Sequence, residues 1–338
     1  MRMRGIWAGV LLALVGCGGG GSDGGSGDGA AQSADDRITL AVIPKGTQHN
    51  FWKSIHAGAV KASREVDVDI IWKGPVLEDD REAQIAEVEN FIARGVSGIV
   101  LAPLDDKALR APVRNAKRRG IPVVIVDSGM DSEDYVSFVA TDNLAGGRLA
   151  GERMVKQLGN KGKVIMLRYQ VGSASTMKRE QGFLDVVAEH PDIEVLSSNQ
   201  HAGATVESAQ QMSENLLDRF RNPDGTPGVD GIFCPAEPVV FGMLRALQDA
   251  GHAGSVTLVG FDATEQLVRG LETGEIDSLV IQDPVNMGYL GVKMMAAHLR
   301  GETIEPLVDT GVNLITKLNM DEPAMRELLS PDLAQWLN

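Results

Sequence analysis

Short runs of aliphatic and β-branched residues alternate with helical patterns along most of the chain, starting at Ile38. Between residues 81 and 92 the apolar side chains of Ile85, Val88 and Ile92 recur three and four residues apart, which predicts a helix with one buried face. Glycines stand where such helices should end, as at Gly95. Strands alternating with helices in this way predict a parallel sheet with right-handed crossovers.

The alternation occurs twice. The first set of predicted strands is 38–43, 68–72, 98–102, 122–126 and 135–139, and the second set is 163–168, 193–198, 231–233, 257–261 and 279–282. Helices are predicted between the strands of the second set at 180–189, 206–221, 239–250 and 265–272. A further helix at 287–299 and a strand at 312–317 follow. The sequence therefore predicts an α/β protein with two doubly wound parallel-sheet lobes.

Polar residues follow many of these strands. Doubly wound sheets bind ligands at the carboxyl ends of their strands, so these residues are the candidate site. They are residues 45–52, 104–105, 127–128, 169–177, 235–238, 262 and 282–283. If the two lobes face each other, these segments converge on one cleft.

The N-terminus has the features of an export signal. A basic start with Arg2 and Arg4 precedes an apolar run, residues 6–15, that is too short to span a bilayer. The run ends in Leu-Val-Gly-Cys at residues 14–17, which resembles the lipobox of bacterial lipoproteins. That resemblance implies a signal peptide over residues 1–16 and lipidation of Cys17. Residues 17–37 are rich in Gly, Ser and Asp and predict a flexible tether.

Charge and composition exclude several classes of function. Loss of Arg2 and Arg4 with the signal peptide moves the formal charge from −14 to −16, which disfavours a nucleic-acid partner. With Cys17 lipidated, Cys234 has no partner for an intramolecular disulfide. The sequence contains no Walker A motif, no Gly-x-Gly-x-x-Gly after a strand and no Gly-x-Ser-x-Gly elbow. We therefore expect no catalytic activity, no metal site and no cofactor.

Several segments, in order along the chain, carry a family resemblance. They are Phe-Trp at 51–52, Gly-Ile-Pro-Val-Val at 120–124 with Asp at 127, Ala-Thr-Asp-Asn at 140–143 with Gly-Gly at 146–147, Leu-Arg-Ala-Leu-Gln-Asp-Ala-Gly at 244–251, Val-Gly-Phe-Asp at 259–262, and Ile-Gln-Asp-Pro at 281–284. Together they resemble the periplasmic sugar-binding proteins of the ribose-binding type, the solute receptors of ABC importers. The resemblance covers about residues 38–318 and leaves the tail, 319–338, outside it.

The family resemblance implies the periplasmic binding protein type I fold, with the lobes joined by a three-crossover hinge. The crossovers are expected near residues 141–142, 282–283 and 310–311. The first lobe would comprise residues 38–141 plus 284–310, and the second lobe residues 142–283 plus 311–318. Lobes of this kind close on their ligand by a hinge motion.

Carried over residue by residue, the resemblance implies a ligand-binding pocket. Aromatic side chains would pack on the apolar face of a sugar, and carboxylates and amides would bind its hydroxyls. On this basis Trp52→Ala and Asp262→Ala are expected to weaken binding and leave the fold intact. The expected binding residues are Lys45, His49, Phe51, Trp52, Asp127, Met177, Ala236, Glu237, Asp262 and Gln282.

The chain departs from the ribose-binding pattern at two arginine positions. Ser128 and Met177 stand where ribose-binding proteins have arginines, so two strong bidentate donors are expected to be missing and ribose is disfavoured. Pro44-Lys45 resembles the branch of the family that binds deoxyhexoses, polyols and a furanosyl signal. Lys45, His49 and Glu237 are then expected to supply polar contacts in place of the arginines.

Each binding residue also has a purely structural alternative. Phe51 and Trp52 are also compatible with a place in the core at a helix start, and Lys45 with an ordinary solvated lysine. Asp127 and Asp262 suit the capping of following helices. Met177 suits simple packing.

These patterns favour a solute-binding lipoprotein that captures a monosaccharide, deoxysugar or polyol in the interlobe cleft and delivers it to an ABC permease. We expect it to be a monomer, anchored by lipid in the periplasm or at the outer cell surface. A receptor that reports to a membrane sensor kinase remains an alternative, because its docking surface is not legible from the sequence. A sugar-responsive repressor-type regulator would need a helix-turn-helix at the N-terminus, where an export signal stands instead. An enzyme on a doubly wound scaffold is the third alternative.

Overall fold

The computed structural model describes residues 37–337. The predicted signal peptide, the lipidated Cys17 and nearly all of the tether lie outside the described residues. Within the described range, no helix is long and apolar enough to cross a membrane.

Two six-stranded sheets organise the described chain. The first has the strand order β11-β5-β4-β3-β1-β2, and its strands are β1 (Thr39–Ile43), β2 (Asp69–Trp72), β3 (Gly98–Leu101), β4 (Val123–Val126), β5 (Ser137–Ala140) and β11 (Leu307–Asp309). The second has the order β12-β10-β9-β8-β6-β7, with β6 (Gly162–Arg168), β7 (Ile193–His201), β8 (Gly231–Phe233), β9 (Thr257–Phe261), β10 (Ser278–Ile281) and β12 (Asn313–Thr316). The two orders are equivalent, so the architecture is repeated.

Helices pack on these sheets. They are α1 (Asn50–Glu65), α2 (Arg81–Arg94), α3 (Arg110–Arg118), α4 (Asn143–Gln157), α5 (Ala174–Ala188), α6 (Val206–Arg219), α7 (Glu237–Asp249), α8 (Glu265–Thr273), α9 (Pro284–Leu299), α10 (Pro323–Leu329) and α11 (Ala334–Leu337). We use "first lobe" for the first sheet with α1, α2, α3 and α9, and "second lobe" for the second sheet with α4 to α8. This is the predicted two-lobed fold.

Central strands are buried on both faces, as expected for sheets covered by helices. Strands β3 and β4 of the first lobe are buried at every residue, as are β8 and β10 of the second. The first lobe has a hydrophobic cluster on each side of its sheet, and so does the second. The cores hold the strand ends in fixed positions.

Three parts of the architecture differ from the sequence prediction. Strand β12 is antiparallel to β10, although all other strand pairs are parallel. Strand β11 was not predicted, because Leu307 and Asp309 are exposed and the segment has no buried apolar run. Helix α5 begins at Ala174, six residues earlier than predicted, because Ser173 and polar residues after it open the helix without an apolar pattern.

The chain crosses between the lobes three times, between β5 and α4, between β10 and α9, and between β11 and β12. The first and last crossings are hydrogen-bonded to each other. Thr141 Oγ1 donates to the Gly311 carbonyl oxygen at 3.0 Å, and the Asp142 N–H donates to Asp309 Oδ1 at 3.1 Å. These segments are the hinge of the fold.

The C-terminal tail passes from one lobe to the other. Met325, Leu328 and Leu329 of α10 pack against the core of the second lobe. Trp336 of α11 lies beside α1 of the first lobe, where the Arg64 guanidinium donates to its carbonyl oxygen at 3.3 Å. The tail therefore spans the hinge side of the molecule.

Candidate functional site

A cavity lies between the lobes, at the carboxyl ends of both sheets. Its volume is about 40 Å³. This is well below the usual range for ligand pockets, because side chains of the two lobes meet across it. The lining residues are Lys45, His49, Phe51, Trp52, Glu78, Asp127, Tyr169, Ser175, Thr176, Arg179, Ala236, Glu237, Pro238, Asp262 and Gln282.

Each lobe contributes one buried ion pair to the cavity. In the first lobe, Lys45 Nζ lies 2.9 Å from Asp127 Oδ2, and both side chains are at most 4% exposed. In the second lobe, a terminal guanidinium nitrogen of Arg179 lies 3.5 Å from Asp262 Oδ2. Asp127 follows β4 and Asp262 follows β9, which are equivalent strands in the two sheets. The repeated fold thus places two paired carboxylates on opposite walls.

The backbone at both aspartates is strained. Asp127 has φ of 62° and Asp262 has φ of 68°, in the left-handed region that residues other than glycine seldom adopt. Such conformations cost about 1–3 kcal/mol each and cluster at functional sites. Neither aspartate is an N-cap, because β5 follows Asp127 and Thr264 caps α8 after Asp262. The capping alternative is therefore wrong for both residues.

The ammonium group of Lys45 is fully engaged by protein groups. Besides Asp127, it donates to Ser175 Oγ at 3.1 Å and to Ser173 Oγ at 3.4 Å. Both serines belong to the second lobe, so this lysine connects the lobes. The alternative of a solvated lysine is wrong.

Glu78 collects hydrogen bonds from both lobes. Its Oε1 lies 2.6 Å from His49 Nδ1 and accepts from Trp52 Nε1 at 2.8 Å, while its Oε2 accepts from the Tyr169 hydroxyl at 2.9 Å. Burial alone would raise the pKa of Glu78, but the bonds from His49 and Trp52 hold it below its ordinary value. Tyr169 follows β6 of the second lobe, so its bond to Glu78 closes the cleft.

The contacts around Glu78 also shift the pKa values of His49 and Tyr169. Burial alone would lower the pKa of His49, but its hydrogen bond to Glu78 and the charges of Glu78, Glu237 and Asp262 raise it above its ordinary value. Burial, and then the charge of Glu78, raise the pKa of Tyr169 well above its usual range. His49 is therefore the cationic partner of an ionised Glu78 in this wall.

Further bonds across the cleft show that the lobes are closed. The Asp106 N–H donates to the Gly172 carbonyl oxygen at 2.9 Å, and the Arg81 guanidinium donates to the Val171 carbonyl oxygen at 2.8 Å. The Ser175 N–H donates to Ser128 Oγ at 3.1 Å. Ser128, which stands at an arginine position of the family pattern, thus binds the opposite lobe.

Arg179 was missed by the sequence analysis. Its Nε donates to Asn143 Oδ1 at 2.8 Å, a terminal nitrogen donates to the Pro235 carbonyl oxygen at 2.9 Å, and its guanidinium lies over the Phe261 ring at 3.9 Å. Helix α5 packs closely on α4, since a Cβ at Gly147 would lie 2.0 Å from the Arg179 carbonyl oxygen. The cavity therefore contains an arginine at a position that the sequence analysis did not single out, although the two arginine positions of the family pattern are Ser128 and Met177.

Helix geometry explains why Met177 lies outside the cavity. Ser175, Thr176 and Arg179 share the buried face of α5, each 3% exposed, and all three line the cavity. Met177 points elsewhere and is 36% exposed. It is not among the lining residues.

The other nine expected binding residues do line the cavity. Trp52 is only 2% exposed and belongs to the core of the first lobe as well, so both interpretations of this aromatic hold. Phe51 packs edge-on against it, with ring centres 5.0 Å apart. Gln282 follows β10 and donates to Asp262 Oδ1 at 2.6 Å.

Glu237 differs from the other carboxylates of the cavity. Its Oε2 atom is buried and accepts no hydrogen bond, and the same is true of Gln282 Oε1. Burial raises the pKa of Glu237 to about 7, with His49 opposing the shift and Asp262 reinforcing it.

No group of three or more potential metal ligands occurs between residues 37 and 337.

The cavity therefore combines aromatic faces, two ion pairs and free acceptor atoms. Such a wall suits a small uncharged ligand with several hydroxyl groups, because each hydroxyl both donates and accepts. Sequence reasoning missed Glu78 and Arg179. Four further lining residues lie in the strand-end segments expected at the cleft but were not named as binding residues, namely Tyr169, Ser175, Thr176 and Pro238.

Comparison with known proteins agrees with this architecture. The periplasmic binding protein domain family matches residues 40–303. The ribose import binding protein of Haemophilus influenzae is 30% identical over 290 residues, covering 85% of this chain and 94% of that protein.

Two solved structures are similar over nearly their whole length. A carbohydrate solute-binding protein from Agrobacterium radiobacter, in complex with D-arabinose, has a TM-score of 0.82 and 32% identity, covering 87% of this chain and 99% of that one. An ABC transporter solute-binding protein from Agrobacterium vitis, with bound D-fucose, has a TM-score of 0.82 and 33% identity, covering 86% and 100%. From its sheet order, its triple hinge crossing and these matches, the chain belongs to the periplasmic binding protein family of the ribose-binding type.

Proposed function

We propose that this protein is the solute-binding component of an ABC importer, and that it captures a monosaccharide, deoxysugar or polyol in the interlobe cavity and presents it to the permease. The observation that carries this proposal is the wall of the cavity. Aromatic side chains from the N-terminus of α1 face polar groups of the second lobe across the cavity. The similar proteins with bound D-arabinose and D-fucose support the same ligand class.

Nine of the lining residues are those expected from the sequence, and we propose them as ligand contacts together with Arg179 and Tyr169. Lys45 and Asp127 would act mainly through each other, because the lysine already has three oxygen partners. Arg179, Glu237, Asp262 and Gln282 would bind ligand hydroxyls from the second lobe and the hinge.

We further propose that the lobes, residues 38–141 plus 284–310 and residues 142–283 plus 311–318, move as rigid bodies about the three crossings. Ligand would enter an open form and be enclosed when Tyr169 bonds to Glu78 across the cleft. Small-angle scattering should then show a smaller radius of gyration when a bound sugar is present.

Membrane attachment forms a separate part of the proposal. The lipobox-like segment and the tether, 17–37, would hold a monomeric receptor in the periplasm or at the outer cell surface through lipid on Cys17. Detergent-phase partitioning of the protein expressed in bacteria tests this. Native protein should enter the detergent phase and Cys17→Ser should remain in the aqueous phase.

A panel of D-ribose, D-arabinose, D-fucose and xylitol tests the binding function, by thermal shift and then by titration calorimetry. At least one sugar or polyol should bind with Kd below about 100 μM, and free ligand at 100 times Kd should stabilise the protein by about 2.7 kcal/mol. Asp262→Asn serves as the matched variant, because it removes the charge of a cavity carboxylate, keeps a side chain of nearly the same size beside Arg179 and disturbs no helix cap. Failure of every panel member, or equal binding by the Asp262 variant, would contradict the proposed site.

A further inference from the structure

Four carboxylates line the cavity, and three of them have partners. Asp127 pairs with Lys45, Asp262 pairs with Arg179 and accepts from Gln282, and Glu78 accepts from three side chains. Glu237 is the fourth, and the structure gives its buried Oε2 no hydrogen-bond partner. An ionised carboxylate in that position would be an uncompensated buried charge.

The groups around Glu237 have opposing effects on whether its carboxyl is ionised or neutral. His49 and Lys53, at the start of α1, favour its ionised form, as does its own place in the first turn of α7. Asp262 after β9 and Glu78 before α2 favour its neutral form, as does burial, which has the largest effect. Two cations of this wall are already used, since His49 pairs with Glu78 and Arg179 with Asp262, and within residues 37–337 Lys53 forms no ion pair with Glu237.

A sugar brings no positive charge that could compensate an ionised Glu237. It brings hydroxyl and ring oxygens, which accept hydrogen bonds from a protonated carboxyl. Gln282 Oε1 is a free acceptor in the same cavity and can accept a hydrogen bond from a ligand hydroxyl. A neutral Glu237 therefore matches the ligand better than a carboxylate does.

We propose that Glu237 binds the ligand in its protonated form and donates a hydrogen bond to a sugar oxygen, so that sugar binding takes up a proton from solvent. The proton attaches to a carboxylate oxygen of Glu237 and is released again when the sugar leaves. This inference rests on the proposed function, because it assigns a protonation state to one contact of the same site. It makes Glu237 a selector for uncharged over cationic ligands.

Titration calorimetry with D-fucose and D-arabinose from pH 6 to 8.5, in two buffers of different ionisation enthalpy, tests this inference. The carboxyl is already protonated in the free protein well below pH 7, where the affinity should be constant. Above pH 7 the affinity should fall by up to about tenfold per pH unit, and proton uptake should approach one per sugar.

Glu237→Gln is the decisive variant, because its amide still donates a hydrogen bond but does not titrate. It should take up no proton from this site, and its binding should be weaker than native at pH 6 but tighter than native at pH 8.5. Glu265→Gln, at an exposed position on α8, is the matched control and should keep the native pH profile.

Three results would overturn the inference. Native affinity could be independent of pH, or proton uptake could persist in Glu237→Gln, which would assign it to another group such as His49. The amino sugar D-galactosamine could bind more tightly than D-galactose, which would indicate an ionised Glu237. Failure of D-ribose, D-arabinose, D-fucose and xylitol alike to bind at pH 6 is a different outcome and would remove the proposed function together with this inference.

Discussion

Lys45 and Asp127 form an ion pair inside the first lobe, with Nζ and Oδ2 2.9 Å apart and both side chains almost fully buried. They lie 82 positions apart in the sequence and meet because β1 and β4 flank β3 in one sheet. The lysine also reaches two serines of the second lobe. A single buried pair thus supports both the wall of the cavity and the closed arrangement of the lobes.

Breaking this pair should destabilise the protein strongly. Lys45→Met and Asp127→Asn should each lower the free energy of unfolding by about 3–5 kcal/mol, since each leaves a buried polar group without its partner. The double variant should lose less than the sum of the two. Urea denaturation without sugar measures these values. Asp321→Asn, in an exposed pair with Arg326, is the control and should change stability by less than about 1 kcal/mol.

Tyr169→Phe should weaken closure. The variant keeps the ring but loses the hydroxyl that donates to Glu78 across the cleft, a bond to a charged group worth about 1.5–3 kcal/mol. Without sugar, small-angle scattering should show a larger radius of gyration than for native protein. Tyr135→Phe, in the first lobe outside the cavity, should scatter as native protein does. Identical curves for the Tyr169 variant and native protein would mean that this bond does not hold the lobes together.

Arg179→Lys should reduce sugar affinity, whereas Met177→Ala should not. The lysine cannot reproduce the planar contacts with Asn143, Pro235 and Asp262, so we expect a loss of about tenfold or more in affinity for D-fucose. Met177 lies outside the cavity on the exposed side of α5. Titration calorimetry of both variants shows which of the two residues contacts the sugar. A larger loss of affinity in Met177→Ala than in Arg179→Lys would support Met177 as the contact, as expected from the sequence.

Trp52→Ala should damage the fold as well as binding. From sequence alone this substitution was expected to leave the fold intact, but the indole is 2% exposed and packs in the first-lobe core. We expect a loss of about 3–5 kcal/mol of stability in urea denaturation. Trp52→Phe keeps most of the packing and removes the N–H bond to Glu78, so it should lose much less. Equal losses in the two variants would contradict a packing role.

The stability of the ligand-free protein should depend on pH through Glu237. Its pKa is about 7 in the folded protein and near 4.5 when unfolded, so the folded state binds more protons between these values. Stability from this group is therefore present below pH 4.5 and is lost as the pH rises through 7. Glu237→Gln should raise Tm relative to native protein more at pH 8 than at pH 5. A constant difference in Tm would show that Glu237 does not titrate in this range.

Much of the fold follows from local pattern. The strands that end before Lys45, Asp127 and Asp262 are buried on both faces, and their apolar runs identify them without any knowledge of contacts. Strand ends then locate the cavity, because parallel strands in doubly wound sheets present their carboxyl ends on one edge. Strand β11 escaped prediction because its stability comes from pairing with β5 rather than from burial.

By itself the sequence determined the two-lobed fold and the strand ends that meet at the cavity, because burial and periodicity are local properties of the chain. The resemblance to the family added nine of the lining residues. Only the tertiary structure decided which groups pair there. Arg179 lines the cavity because α5 packs with that face toward the cleft, and Glu78 accepts hydrogen bonds from both lobes because the lobes close around it. The state of Glu237 follows from the same cause, since whether a carboxylate has a partner depends on side chains that lie far from it in the sequence.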